Sequence, residues 1–242
     1  MRDIRLYIEE PINVGSSLSL EKSKHHYLLK VLRIKEQQKI ILFNNSGYNY
    51  FGFVNKISSK HFDINIEKEI YEEQQNLPIE IAFSLCKNPC SDLIIQKLTE
   101  LGIQSIQPLI SKNSIFSGRK IDSEKKIAHW KNISISACEQ SERSYLPEIK
   151  RIISFDEYIQ NCKTEQKIIL NTKANIMLPK IFKANQTSCS LLIGPEGDFT
   201  EKEYSLAEQS NFSSASLGDN ILRVETAAIS AFSFVKIIYN GL

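Results

Sequence analysis

The sequence predicts a small β domain followed by an α/β domain with a largely parallel sheet. Three observations carry this expectation. Short β-prone runs crowd residues 1 to about 70, residues 71–77 (YEEQQNL) are polar and end at Pro78, and beyond Pro78 strand-like and helix-like segments alternate.

In the first part, residues 39–44 and 48–57 are apolar-rich and flank Asn45-Ser46-Gly47, a hairpin signal. In residues 62–70, Phe62, Ile64 and Ile66 alternate with Asp63, Asn65 and Glu67, the period of a half-buried strand. A short helix is expected around residues 23–32. So many short strands in so few residues favour a small barrel. After Pro78, Ile79, Ile81, Phe83 and Leu85 mark a strand, and residues 92–101 a helix closed by Gly102. A strand at 103–110, a helix at 123–141 and strands at 167–170, 190–193 and 215–217 follow.

Bulk properties narrow the class. The chain has 242 residues, is 42% hydrophobic and 24% charged, and carries a net charge of +2. That is the profile of a globular protein with a real core. Arg2, Asp3, Arg5, Glu9 and Glu10 break the early apolar runs, so no signal peptide is expected, and no uncharged stretch reaches the length of a membrane span. Five dispersed cysteines without a CxxC pair read as reduced thiols in a cytoplasm. The four histidines lack metal-ligand spacing, so no metal site is expected.

Two strand ends carry chemistry. LLIGPEGDFTEKE, from Leu191, runs an apolar strand into Gly194-Pro195-Glu196-Gly197, and Thr200 to Glu203 then forms a capping box. Leu217-Gly218-Asp219-Asn220 follows a second strand, and Ile221-Leu222-Arg223-Val224-Glu225-Thr226 leads into an apolar helix. In open α/β sheets ligands lie beyond the carboxyl ends of strands, where glycine lets backbone approach closely. A single such turn is equally a ligand-free βα connection; two together suggest a pocket walled by backbone amides. Ala227, Ala228 and Ala231 on the last helix permit close packing, within the fold or across a dimer. GxGxxG, GxxxxGK[ST] and GxSxG are all absent, which removes support for a Rossmann site, a P-loop or a nucleophile elbow.

Taken in order, IIQKLTELGIQSIQPLIS, SACEQSERSYLPEI, LLIGPEGDFTEKE and LGDNILRVETAAISA resemble the RsmE family. These are SPOUT-class methyltransferases that modify uridine N3 in small-subunit (16S) ribosomal RNA. The resemblance covers nearly the whole chain. It implies a PUA-like β-barrel RNA-binding domain over residues 1–72 and a SPOUT methyltransferase domain with a C-terminal trefoil knot over 73–242. It implies S-adenosyl-L-methionine as cofactor, held among Leu192, Ile193, Gly194, Glu196, Gly197, Leu217, Gly218, Ile221, Leu222 and Ala227. It also implies a cytoplasmic homodimer acting on ribosomal RNA. Arg223 is the first candidate for the catalytic cation and Arg143 the second; the structural alternatives are pairing of Arg223 with Glu225 or Glu196, and an ion pair or helix-end interaction for Arg143 and Glu139. Lys97 and Glu100 are read as structural.

Three positions depart from the family pattern. Asp198 stands where a second glycine is usual, Asn113 where arginine is frequent, and Cys90 where a basic residue is usual. If the turn requires positive φ at Asp198, aspartate tolerates it better than most residues. Phosphate contacts are expected from Arg5, Lys22, Lys24, Lys30, Arg33, Lys35 and Lys112, set against the reading of a merely solvated charged face. Tyr48, Tyr50 and Phe51 are read as barrel core rather than base-stacking residues. Two alternatives to the leading function stand: a SPOUT methyltransferase of another RNA position, and a non-catalytic RNA-binding or ribosome-assembly factor on the same fold.

Overall fold

Asn45 and Gly47 take positive φ, 66° and 87°, and reverse the chain between β3 (Lys39–Phe43) and β4 (Tyr48–Ile57). This is the hairpin read from Asn45-Ser46-Gly47. The structure is a computed structural model and describes residues 3–20, 28–29, 33–58, 62–74, 77–183 and 185–240. It divides into two compact units: Met1–Gln75 with Cys138–Leu146, and Asn76–Ala137 with Pro147–Leu242.

The first unit is a five-stranded sheet in the order β1-β3-β4-β5-β2, with β1 at Ile4–Tyr7, β2 at Ser17–Leu20 and β5 at Phe62–Tyr71. Among the described residues, only β1 and β3 of this sheet pair in parallel. The β4–β5 ladder shifts register at Phe51/Gly52, the kind of irregularity that lets a sheet bend. A Cβ at Gly52 would fall 2.2 Å from the Asn65 carbonyl oxygen, so no other residue fits there. Leu6, Ile8, Leu42, Val54, Phe62 and Ile64 fill the core. Tyr50 joins it, while Tyr48 packs at its edge and Phe51 lies half-buried under Lys68. The helix expected at 23–32 lies mostly outside the described residues.

Residues 138–146, which a boundary at 72/73 assigns to the second domain, belong to this first unit. The reason is polar. The Arg5 guanidinium is buried and donates to Asn49 Oδ1 at 2.8 Å and to Ser144 Oγ at 3.1 Å. Asn49 and Ser144 in turn donate to Glu72 Oε2, at 2.8 and 2.6 Å. Ser144 thereby joins the polar network around this buried charge.

The second unit is built on a sheet whose named strands all run parallel, in the order β12-β10-β11-β6-β7-β8, with β9 also on β7. The strands are β6 (Ile79–Ser84), β7 (Ser105–Ile110), β8 (Glu148–Ile149), β9 (Ile153–Ser154), β10 (Gln166–Leu170), β11 (Cys189–Ile193) and β12 (Ser213–Ala215). Every residue of β11 is buried, as a strand covered on both faces must be. Leu191 and Ile193 pack on one face with α1 (Asn88–Glu100) and α6 (Val224–Asn240). Leu192 points the other way, toward α3 (Phe155–Asn161) and α5 (Glu201–Gln209). Between these elements lie α2 (Ser123–Ser141) and α4 (Leu178–Ile181).

Four differences from the sequence reading stand out. Helix α1 begins at Asn88 rather than 92, because Pro89 is tolerated in a first turn that has no partner for its N–H. β12 lies two residues earlier than expected, and β8, β9, α3 and α4 were not anticipated. Gly102, with φ of 96°, closes α1 as expected. The cysteines correct the fourth expectation: Cys86 and Cys90 form a disulfide, while Cys138, Cys162 and Cys189 are free and buried. Cys86 leaves β6 and Cys90 sits in the first turn of α1, which sets their Cα atoms 6.0 Å apart, within bridging range.

Candidate active site

Strands β12, β10, β11 and β6 are neighbours and parallel, so their carboxyl ends share one edge. The segments that follow them wall a cavity of about 900 Å³, a size suited to a small organic ligand. The longest wall is the glycine turn after β11. Asp198 N–H donates to the Pro195 carbonyl at 2.9 Å, closing the turn, and Asp198 takes φ of 60°. The position therefore does require the left-handed region that glycine usually supplies. Aspartate holds it through its carboxylate: Oδ1 accepts from Phe199 N–H at 2.8 Å and from the Tyr204 hydroxyl at 2.6 Å. Thr200 and Glu203 make the expected capping box and start α5 at once.

Asn113 fastens the same turn. Its Nδ2 donates to the carbonyls of Gly197 at 3.1 Å and Asp198 at 3.0 Å. Gly197 needs to be small for this reason, since a Cβ there would lie 3.3 Å from Asn113 Cβ. From the β6 side, Lys87 N–H donates to Glu196 Oε1 at 3.2 Å. In the second loop, Gly218 takes φ of 119°, which side chains other than glycine's rarely adopt.

Of the expected cofactor residues, Ile193, Gly194, Glu196, Gly197, Leu217, Gly218, Ile221, Leu222 and Ala227 all line the cavity. Leu192 does not, because strand alternation turns it into the core on the opposite face. Arg223 lines the cavity, is exposed, and forms no ion pair with Glu225 or Glu196 among the described residues. Arg143 lies in the first unit and is not a wall of the cavity. Burial pulls its pKa down, opposed by the Cys138 and Glu72 charges. Glu139, on the same segment, accepts from Tyr7 N–H at 3.0 Å.

Sequence reasoning missed two walls. Leu170, Asn171 and Thr172 follow β10, and Lys87, Pro89, Cys90 and Leu93 open α1. The signal for the first was present: a polar Asn-Thr pair directly ends an apolar strand, but without a glycine to draw attention. The second depended on α1 starting earlier than its apolar stripe.

Among the expected phosphate contacts, Arg33, Lys35 and Lys112 are exposed. Arg5 is turned inward and its guanidinium is engaged within the first unit, so it does not offer a surface charge. Lys22, Lys24 and Lys30 lie outside the described residues. Lys97 Nζ and Glu100 Oε1 pair at 2.7 Å on α1, and neither lines the cavity. Cys86 Sγ, Cys90 Sγ and a Glu196 carboxylate oxygen lie within 4.8 Å of one another, but sulfurs bonded to each other are not thiolate ligands.

A parallel sheet with a backbone-walled cleft beyond adjoining strand ends defines an α/β protein with a site for a small ligand. The chain matches the RNA methyltransferase domain over residues 73–236 and the RNA methyltransferase PUA domain over residues 20–67. It is 36% identical to ribosomal RNA small subunit methyltransferase E of Buchnera aphidicola subsp. Schizaphis graminum, covering 98% of this chain and 97% of the relative. The Bacillus subtilis protein of that name is 29% identical over 96% of this chain and 95% of its own. A crystal structure of the Neisseria gonorrhoeae protein of that name, bound to S-adenosyl methionine, superposes with a TM-score of 0.88 at 29% identity, covering 98% of each chain. The chain belongs to the ribosomal RNA small subunit methyltransferase E family.

Proposed function

We propose that this protein is an S-adenosylmethionine-dependent methyltransferase that modifies N3 of a uridine in small-subunit ribosomal RNA. The observation that carries the reading is the cavity at the ends of β12, β10, β11 and β6, walled by the Gly194 and Gly218 turns. The residues present fit the cofactor. Apolar side chains at Leu93, Ile193, Leu217 and Leu222 can enclose an adenine, while turn backbone offers the hydrogen-bonding edge. When bound, the cofactor supplies an already electrophilic methyl group.

The harder requirement falls on the protein. Uridine N3 carries a proton at neutral pH and must lose it before it can attack. A cation beside the ring stabilises the anion and lowers its pKa. Arg223 meets the geometric requirement, because it lines the cavity and no carboxylate neutralises it among the described residues. Arg143 is the second candidate; it belongs to the first unit and is not a wall of the cavity.

Two architectural features belong to the same proposal. The C-terminal part of the second unit forms a trefoil knot, a reading supported by the out-of-sequence strand order and by α6 packing on α1, β6 and β11. The protein acts as a homodimer, supported by the exposed apolar side chains of Ile221 and Ile237. Arg33, Lys35 and Lys112 supply phosphate contacts that position the RNA without reading its sequence.

The test is to map modified bases in small-subunit RNA from a deletion strain and from the same strain carrying the gene. Loss and restoration of one N3-methyluridine is the expected result. An unchanged modification pattern, together with no saturable binding of S-adenosylmethionine by calorimetry, would favour the non-catalytic assembly factor.

A further inference from the structure

Cys90 forms part of the cavity wall, and its disulfide partner Cys86 is fully buried behind it. The pair straddles the start of α1: Cys86 precedes the cap residue Lys87, and Cys90 is the third residue of the helix. The amino end of this 13-residue helix carries partial positive charge, which favours a thiolate in the first turn. Opposing that, the Glu196 and Glu225 carboxylates face the pair; Glu225 Oε2 lies 3.3 Å from Cys90 Sγ. Glu225 stands in the same cavity wall.

That 3.3 Å contact changes character with redox state. A Cys90 thiol can donate its proton to the Glu225 carboxylate, whereas a disulfide sulfur has no proton to give. In the oxidised form Glu225 is therefore free to accept from whatever occupies the cavity. We propose that Cys86 and Cys90 are a reversible oxidation site that couples thiol redox state to the affinity of the cleft for its cofactor. The inference rests on the cofactor reading above.

The chemistry balances with a small hydroperoxide as oxidant. The half-exposed Cys90 thiolate attacks the peroxide oxygen, forming a sulfenic acid and releasing the alcohol, or water from hydrogen peroxide. Cys86 then attacks the Cys90 sulfur, the S–S bond forms, and the sulfenic oxygen leaves as water. A small dithiol reverses the step by exchange and is itself oxidised to its disulfide.

The experiment uses the full chain, treated with hydrogen peroxide or dithiothreitol and then freed of reagent. Thiols are counted after denaturation, and S-adenosylmethionine affinity is measured calorimetrically on each folded form. Three free thiols are expected after oxidation, belonging to Cys138, Cys162 and Cys189, and all five after reduction. The oxidised form should bind about twofold to tenfold more tightly, the range for one ordinary hydrogen bond gained. The Cys86→Ser/Cys90→Ser double variant should bind alike after either treatment. Five thiols after oxidation, or equal affinity in the two wild-type forms, overturns the proposal without touching the cofactor reading. Absence of binding in every form would instead defeat the cofactor reading and the coupling with it.

Discussion

The Tyr204 hydroxyl donates to Asp198 Oδ1 at 2.6 Å, joining the first helix turn after the glycine loop back to the residue that closes it. Asp198 sits at φ of 60°, where a residue with a Cβ is strained, and this bond with the Phe199 N–H contact is what steadies it. Asp198→Ala keeps the strain and removes both contacts, so it should cost about 2 kcal/mol, measured by chemical denaturation. Asp198→Gly should cost less, because it relieves φ while losing the same bonds.

The same pair sets a pH dependence. Burial first, and the Asp198 hydrogen bond second, push the Tyr204 hydroxyl well above its ordinary value. The folded state thus holds this proton more tightly than the unfolded one. Its contribution is complete below the unfolded value near 10 and is lost as pH rises through the higher folded value. Tyr204→Phe should therefore lower Tm by about 2–4 °C at pH 7. The gap between mutant and wild type should close at pH values well above 10. A gap that widens with pH would contradict the assignment.

Asn113 and Gly197 form one contact seen from two sides. Asn113→Ala removes both hydrogen bonds to the turn, and Gly197→Val drives side-chain atoms into the Asn113 Cβ. Each should weaken S-adenosylmethionine binding, by about fivefold or more for a bond-sized loss, while Tm changes little. Unchanged affinity in a folded Gly197→Val protein would remove the turn from the cofactor site.

Arg223→Ala tests the proton step. Single-turnover rate should fall by about a hundredfold or more, as for loss of an electrostatic stabiliser, with cofactor affinity near wild type. The mutant should recover partly as pH rises, since solvent then takes the N3 proton. Weakened affinity with normal turnover at saturation would make Arg223 a binding residue.

Ala231 is fully buried in the core of the second unit, where α6 packs on α1. Sequence left it between an internal and an intersubunit role; burial decides for the internal one. Ala231→Arg should unfold the chain, costing about 3 kcal/mol or more, rather than yield a folded monomer. The exposed Ile237→Arg is the proper probe of association, read by sedimentation.

What the sequence by itself determined is local in origin. The Asn45–Gly47 reversal, the Gly102 cap, the Thr200–Glu203 box and the span of α2 follow from side chains within a few residues of one another. The two glycine turns were legible for the same reason, and nine of ten expected cofactor residues do meet at one cavity. Tertiary structure decided the rest. Strand alternation within a sheet covered on both faces turned Leu192 away while keeping Ile193 at the cleft. The need of buried Arg5 for partners drew Ser144 into the first unit, across 139 residues of chain. Asn171, Thr172 and Lys87 became walls only because β10 and β6 flank β11, an order no nearest-neighbour pattern encodes. Parallel pairing joins segments distant in sequence, and the energy that selects their order comes from burying both faces of the sheet at once.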